Sequence, residues 1–76
     1  MMSLAMVAPG ETVKLISVRG GQRVSKRLAD LGLTPDTIVC VVQANAYGPL
    51  IVAFKEDVRL ALGRGMAHKI EVELID

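Results

Sequence analysis

The sequence predicts a mainly β domain, a small barrel of about five short strands with one short helix after the first strand. The chain has 76 residues, 51% of them apolar, yet Tyr47 and Phe54 are its only aromatic residues. Valine, isoleucine and leucine must therefore fill the core, which suits tightly curled strands. Only one segment has the apolar spacing of a helix. Because the chain is too short for two domains, residues 1–76 are expected to form one.

The first strand is predicted at Thr12–Val18, after a turn at Pro9–Gly10. Proline presets φ for the first central position of a turn, and glycine accepts positive φ at the second. Apolar residues of this strand fall on both of its faces, since Leu15 and Ile16 are adjacent. Either both faces are covered, or a bulge shifts the register.

One helix is predicted at Gln22–Leu31, after Gly20–Gly21 breaks the strand. Its apolar residues recur at i, i+4 and i+7, which predicts a single buried stripe: Val24, Leu28 and Leu31. Gly32 can take the left-handed conformation that ends a helix, and Leu33 would then fold back onto the helix in a Schellman cap.

The second half of the chain is predicted to form four strands with a helical turn at Met66–Ala67. The strands lie at Thr37–Gln43, Leu50–Phe54 and Val58–Leu62, and in the alternating segment Ile70–Leu74. The order β-α-β-β-β-β lacks the repeated crossovers of a doubly wound parallel sheet. Hairpin-linked strands in so small a domain are expected to close into a barrel without exposed edges.

Composition excludes several classes of function. Nine basic and eight acidic residues leave a net charge of +1, which argues against nucleic acid as the main partner. The single cysteine, Cys40, cannot form an intramolecular disulfide and indicates a reducing, cytoplasmic location. The uncharged run Thr37–Phe54 is interrupted by Gly48–Pro49 and is not expected to cross a membrane.

Reactive or metal-binding constellations are not expected. The chain has no P-loop pattern, and a nucleophilic pair would have to combine Cys40 with the one histidine, His68. The only adjacent acidic pair, Glu56–Asp57, falls in a predicted turn. A transition-metal site draws several such ligands together. We therefore expect no catalytic residues, no metal site and no cofactor.

Two surfaces are candidates for binding a partner protein. The first is the helix face that carries Arg23, Lys26 and Arg27, for which the alternative is a solvated face partly neutralised by Asp30. The second is the Ala44–Pro49 loop with Tyr47 and Leu50, because aromatic residues on loops are favoured at interfaces. Tyr47 could instead cap the barrel.

The third predicted strand adds a further candidate surface. If Val39 and Val41 point inward, the period of two directs Ile38, Cys40 and Val42 outward. Three apolar side chains on an outer face require a cover. The helix, the N-terminal segment or a partner could each provide it.

The segment Arg27–Pro35, with the sequence RLADLGLTP, resembles the R-L-x-x-L-G-L-x-P signature of the FeoA family. Pro9-Gly10-Glu11 and Leu60-Ala61-Leu62 are similar to other landmarks of that family, and the likeness runs from about Val7 to Ile75. One departure is Asp36, where the family usually has glycine after the proline. We expect a small local strain there.

The resemblance implies an SH3-like barrel without catalytic residues. It also implies a small cytosolic accessory protein of ferrous iron uptake, which binds and regulates the ferrous iron permease with its GTP-binding domain. Contact with the membrane would occur only through that partner, and self-association stays open. Two alternatives remain: a small nucleic-acid-binding barrel, and a detached metal-sensing domain of the kind found at the C-terminus of metal-dependent repressors.

Overall fold

The structure, a computed structural model, describes residues 1–45 and 47–75. Its strands are β1 (Met2–Ser3), β2 (Thr12–Val18), β3 (Ile38–Ala44), β4 (Leu50–Phe54), β5 (Val58–Leu62) and β6 (Ile70–Leu74). A 3-10 turn (Leu4–Met6) and the helices α1 (Gly21–Asp30) and α2 (Arg64–Ala67) complete the described chain. The six strands form one antiparallel sheet in the order β1-β6-β2-β3-β4-β5.

The mainly β fold is confirmed, with three corrections. There are six described strands rather than about five, because Met2 and Ser3 pair with Val72 and Glu71 of β6. A two-residue strand is too short to show a period in the sequence. Because this extra strand comes first in the chain, α1 follows the second strand and not the first. The backbone ladder also does not close, since β1 and β5 are its two edges.

The predicted strand bounds are otherwise close to the observed ones. β2, β4 and β5 have the predicted limits, and β3 is displaced by one residue. Of the two readings of the first strand, the bulge is correct: the β2–β6 register shifts between Leu15 and Ser17. A second shift, between Val41 and Gln43, lies in the β3–β4 ladder. Both bulges bend the sheet and increase its twist around the core.

A Schellman cap ends α1 as predicted. Gly32 has φ +100° and its N–H donates to the carbonyl of Ala29 at 2.9 Å. The N–H of Leu33 donates to the carbonyl of Leu28, also at 2.9 Å, and both leucine side chains are buried. Leu31 is a correction, because it is 45% exposed rather than part of the buried stripe. Leu31 is the C-cap and keeps helical backbone angles, φ −85° and ψ −6°, so it continues the direction of the stripe but extends past its buried part.

The core is aliphatic and lies inside the curled sheet. Its fully buried side chains come from the 3-10 turn, α1 and strands β2, β3, β4 and β6: Leu4, Val13, Leu15, Leu28, Val41, Leu50, Val52, Ile70 and Val72. Phe54 is the one aromatic side chain of the described core. No polar or charged residue is buried in the described ranges.

Arg64 bridges the two edges of the sheet. It is the first residue of α2, two residues after β5 ends, and its Nη1 donates to the carbonyl of Ala5, in the 3-10 turn after β1, at 3.0 Å. Its Nε donates to the carbonyl of Asn45, at the end of β3, at 3.0 Å. Hydrogen bonds from a charged guanidinium are stronger than neutral ones. Side-chain bonds thus connect edges that the backbone ladder leaves apart.

We expect Gly32→Ala to lower the free energy of unfolding by about 1–2 kcal/mol, the cost of a left-handed conformation for an L-residue. A Cβ at this position would also stand 3.0 Å from Cε2 of Phe54. Gly63→Ala is the matched control, because Gly63 has φ −63° and nothing within 4 Å of a Cβ. Urea unfolding measures both variants. Equal stabilities would contradict the role assigned to the cap.

Asp36, the departure from the FeoA signature, has φ +73°. Its side chain is exposed, while its N–H donates to the carbonyl of Leu15 at 2.7 Å. We expect Asp36→Ala to cost about 1 kcal/mol, because alanine tolerates this conformation less well than aspartate. Asp36→Gly should lie within about 0.5 kcal/mol of the parent, since relief of strain is offset by greater unfolded-state entropy. Thermal unfolding checks the order; an alanine variant as stable as the glycine variant would refute it.

Candidate protein-interaction surfaces

The exposed face of α1 is cationic. Arg23, Lys26 and Arg27 are all exposed, and Asp30 is the one acidic residue of the helix, so its net charge is +2 (three basic minus one acidic). In the part of the chain that the structure describes, the one ion pair joins Arg19 to Glu71. Asp30 makes no salt bridge within the described ranges but lowers the net charge of this face, so the solvated-face alternative stays open.

Helix stability accounts for Arg27 but not for Arg23. Arg27 lies in the last turn, where the helix dipole favours a positive charge. Arg23 is the third residue of α1, where the dipole disfavours one by about 0.3–1 kcal/mol. The first turn has no acidic residue, and Gly20 provides no side-chain cap. Arg23 thus contributes charge to the surface at a cost to the helix.

The outer face of β3 is apolar and uncovered. Val39 and Val41 are buried as predicted, Ile38 is 48% and Val42 38% exposed, and Cys40 is half-buried. Neither α1 nor the N-terminal segment buries these outward side chains. Lys14 on β2 lies opposite Ile38. We call the group Ile38, Cys40 and Val42 the β3 outer face.

Of the two residues predicted to form a candidate surface at the loop between β3 and β4, only one is exposed to solvent. Tyr47 is fully exposed, so it does not cap the barrel. Leu50 is 0% exposed and is removed from the candidate surface, because a side chain without accessible area cannot contact a partner. The alternation of β4 buries Leu50 together with Val52 and Phe54. Ala46 lies outside the described residues.

A groove of about 200 Å³ separates the end of α1 from the chain around the end of β5. The buried side chains of Leu28 and Leu62 form its floor. Leu31, Ala61 and Met66 contribute its walls together with Gly63, and Arg27 is its one charged lining residue. Sequence analysis missed this groove, because only the tertiary structure brings residues 27–31 and 61–66 together.

The described residues contain no group of three or more His, Cys, Asp or Glu side chains placed to hold a metal ion. His68 is exposed on the turn after α2, whereas Cys40 lies half-buried on β3. Glu56 and Asp57 are exposed in the β4–β5 turn. In residues 1–45 and 47–75, no helix is long and apolar enough to span a bilayer.

Comparisons of the sequence and of the structure with known proteins point to the same family. The sequence matches the FeoA domain over residues 2–74, whereas no curated protein matches it. The crystal structure of an iron uptake regulatory protein, FeoA, shares 28% identity over 97% of each chain, with a TM-score of 0.89.

Two further structures share the fold. FeoA of Stenotrophomonas maltophilia, solved with zinc and described as an SH3 domain protein, is 23% identical over 96% of this chain and 91% of that one, with a TM-score of 0.79. A manganese-dependent transcriptional repressor with bound manganese is 20% identical over 96% of this chain and 36% of its own, with a TM-score of 0.87. With its family match over residues 2–74, this SH3-like chain belongs to the FeoA domain family, which is associated with ferrous iron transport.

Proposed function

We propose that this protein is a cytoplasmic, non-enzymatic accessory protein of ferrous iron uptake. It binds and regulates the ferrous iron permease that carries a GTP-binding domain. Membership of a family of small transport accessory proteins supports the proposal. So does the lack, among the described residues, of a group of three or more His, Cys, Asp or Glu side chains that could hold a metal ion.

The observation that carries the proposal is the uncovered β3 outer face. Ile38 and Val42 are apolar side chains on the same outward face of β3, and both are substantially exposed. Adjacent exposed apolar side chains with a polar rim are typical of protein interaction sites. Lys14, opposite Ile38, provides part of such a rim. Burial of this face against a partner removes apolar area from water, which favours association.

Regulation requires more than attachment. A bound protein shifts its partner between two conformations only if it binds one of them more tightly than the other. The domain is suited to this task because the β3 outer face is anchored from behind, where Val39 and Val41 of the same strand are buried in the core. A rigid surface discriminates between partner conformations without first being ordered itself.

We expect Ile38→Lys to weaken binding to the detergent-solubilised permease at least about tenfold, equivalent to about 1.4 kcal/mol. The substitution would place a charge where apolar area is buried. The isolated domain should stay folded, because surface substitutions usually change stability by less than about 0.5 kcal/mol. Affinity is measured with the immobilised domain, and folding by circular dichroism.

Leu74→Lys is the matched control. Leu74 is 46% exposed, close to the 48% of Ile38. It pairs with the buried Val13 and so belongs to the other side of the sheet, away from the β3 outer face. Equal affinities of the two lysine variants would count against the β3 outer face. If the parent domain itself fails to bind the permease, the proposed function is wrong.

The structural likeness to a manganese-dependent repressor makes direct metal sensing the second candidate. The chain spans about a third of that repressor's length, and at 20% identity the likeness shows the fold alone. We expect calorimetric titration with Fe²⁺ under anaerobic conditions, and with Mn²⁺, to give no heat of binding. Transition-metal sites need several ligands in one place. Saturable heat at micromolar metal would favour the sensor over the accessory protein.

A further inference from the structure

We propose that the groove between α1 and the end of β5 binds one large apolar side chain from an acidic segment of a partner protein. The inference rests on the proposed function in one respect, that the partner is a protein. The site is distinct from the β3 outer face. Its apolar residues come from α1, its cap, β5 and α2, and its one charged lining residue, Arg27, comes from the cationic helix face.

The size of the groove limits its occupant. Pockets for drug-sized ligands measure about 300–1,000 Å³, and an apolar cavity of about 150 Å³ holds a benzene molecule. At about 200 Å³, the groove has room for one leucine, methionine or phenylalanine side chain. It is too small for a nucleotide or another large cofactor.

The lining of the groove favours an apolar anchor. Leu28 and Leu62 belong to the core, so the floor is already ordered before anything binds. The side chain of Leu31, which lines the groove, is 45% exposed. A side chain that enters the groove would cover this exposed surface. Preformed apolar pockets that receive one anchor residue are typical of the energetically dominant part of an interface.

The positive charge beside the groove favours acidic residues on either side of the partner's apolar side chain. Arg27 lines the groove itself, and Arg23 and Lys26 extend the positive charge along the same exposed helix. Arg23 lies in the first turn, a position that disfavours a cation. An acidic segment would be attracted to this face, and complementary charges speed association and exclude wrong partners.

A protein segment fits these observations better than the other anionic partners. Clusters that recognise anionic lipids usually contain about 4–8 basic residues, whereas this face has three and one acid. Nucleic acids draw their affinity from many neutralised phosphates and have no aliphatic side chain to fill the groove. An acidic peptide with one apolar side chain uses both the charge and the cavity.

The test uses three nine-residue synthetic peptides in an NMR titration of the ¹⁵N-labelled protein. One has glutamates around a central leucine, the second has alanine in place of that leucine, and the third has lysines in place of the glutamates. We expect the acidic leucine peptide to shift the amides of Leu31, Ala61 and Gly63 in a saturable way. The alanine peptide should bind about tenfold more weakly, and the basic peptide should not shift these amides.

Two variants of the protein sharpen the test. Arg27→Glu should weaken the acidic leucine peptide and allow the basic leucine peptide to bind, because it reverses the charge at the groove. Leu31→Ser should reduce binding of the acidic leucine peptide. It is expected to remain folded because Leu31 is half exposed. Ile38→Lys is the control, since it alters the other surface and should leave peptide binding unchanged.

Several outcomes would overturn the inference. These are equal binding of the leucine and alanine peptides, or shifts that avoid the groove. Groove shifts produced by anionic lipid vesicles or by short single-stranded DNA at the same affinity would assign the groove to those ligands. Concentration-dependent shifts without peptide would assign it to a second copy of this chain. If the peptide binds but the permease does not, only the proposed function fails; the reverse result removes only the groove.

Discussion

The structure depends on one constraint: a short chain must fill its core almost entirely with aliphatic side chains. Among the described residues, Phe54 is the one aromatic side chain in the core, and the one tyrosine is exposed on a loop. Small side chains reach the density of a protein interior only if the backbone segments come close together. The bulges at residues 15–17 and 41–43 bend the sheet far enough to achieve this.

The same constraint separates core residues from surface residues along each strand. Alternate side chains of β3 and β4 are buried in the core, so the outward side chains are available for contacts with other molecules. On β3 the outward residues are apolar, although they are not part of the core. On α1 the outward residues are basic, although one of them opposes the helix dipole. Two surfaces of different chemistry therefore lie on one small domain.

Much of this architecture could be predicted from the sequence, because short-range chemistry specifies it. Apolar, β-branched runs between turn signals predicted the limits of β2, β4 and β5, and period two places Val39 and Val41 on the same face of β3. Gly32 next to Leu33 was enough to predict both hydrogen bonds of the helix cap. The burial of Leu50 could also have been predicted, since it shares its parity with Val52 and Phe54.

Other features depend on which segments meet in space, and no local pattern reports that. β1 consists of two residues that are recognisable only through their pairing with β6. The groove joins the end of α1 to a segment about thirty residues later. Leu31 continues the apolar spacing of α1, but it is exposed because it faces the open groove and not the closed core. Candidate surfaces on single elements were thus accessible to sequence analysis, but a site between elements was not.

The bridge made by Arg64 has a consequence for how the family can vary. Both acceptors, at Ala5 and Asn45, are main-chain carbonyls, which every amino acid possesses. Mutations at those two positions therefore leave the acceptor carbonyls in the chain. Only the side chain at position 64, the donor, must keep its chemical identity for the bridge to form. Lysine could not replace it, because a single ammonium lacks the planar fork that reaches two carbonyls at once. The bridge therefore survives any change of side chain that keeps the backbone at positions 5 and 45 in place, whereas it is lost when position 64 lacks a guanidinium.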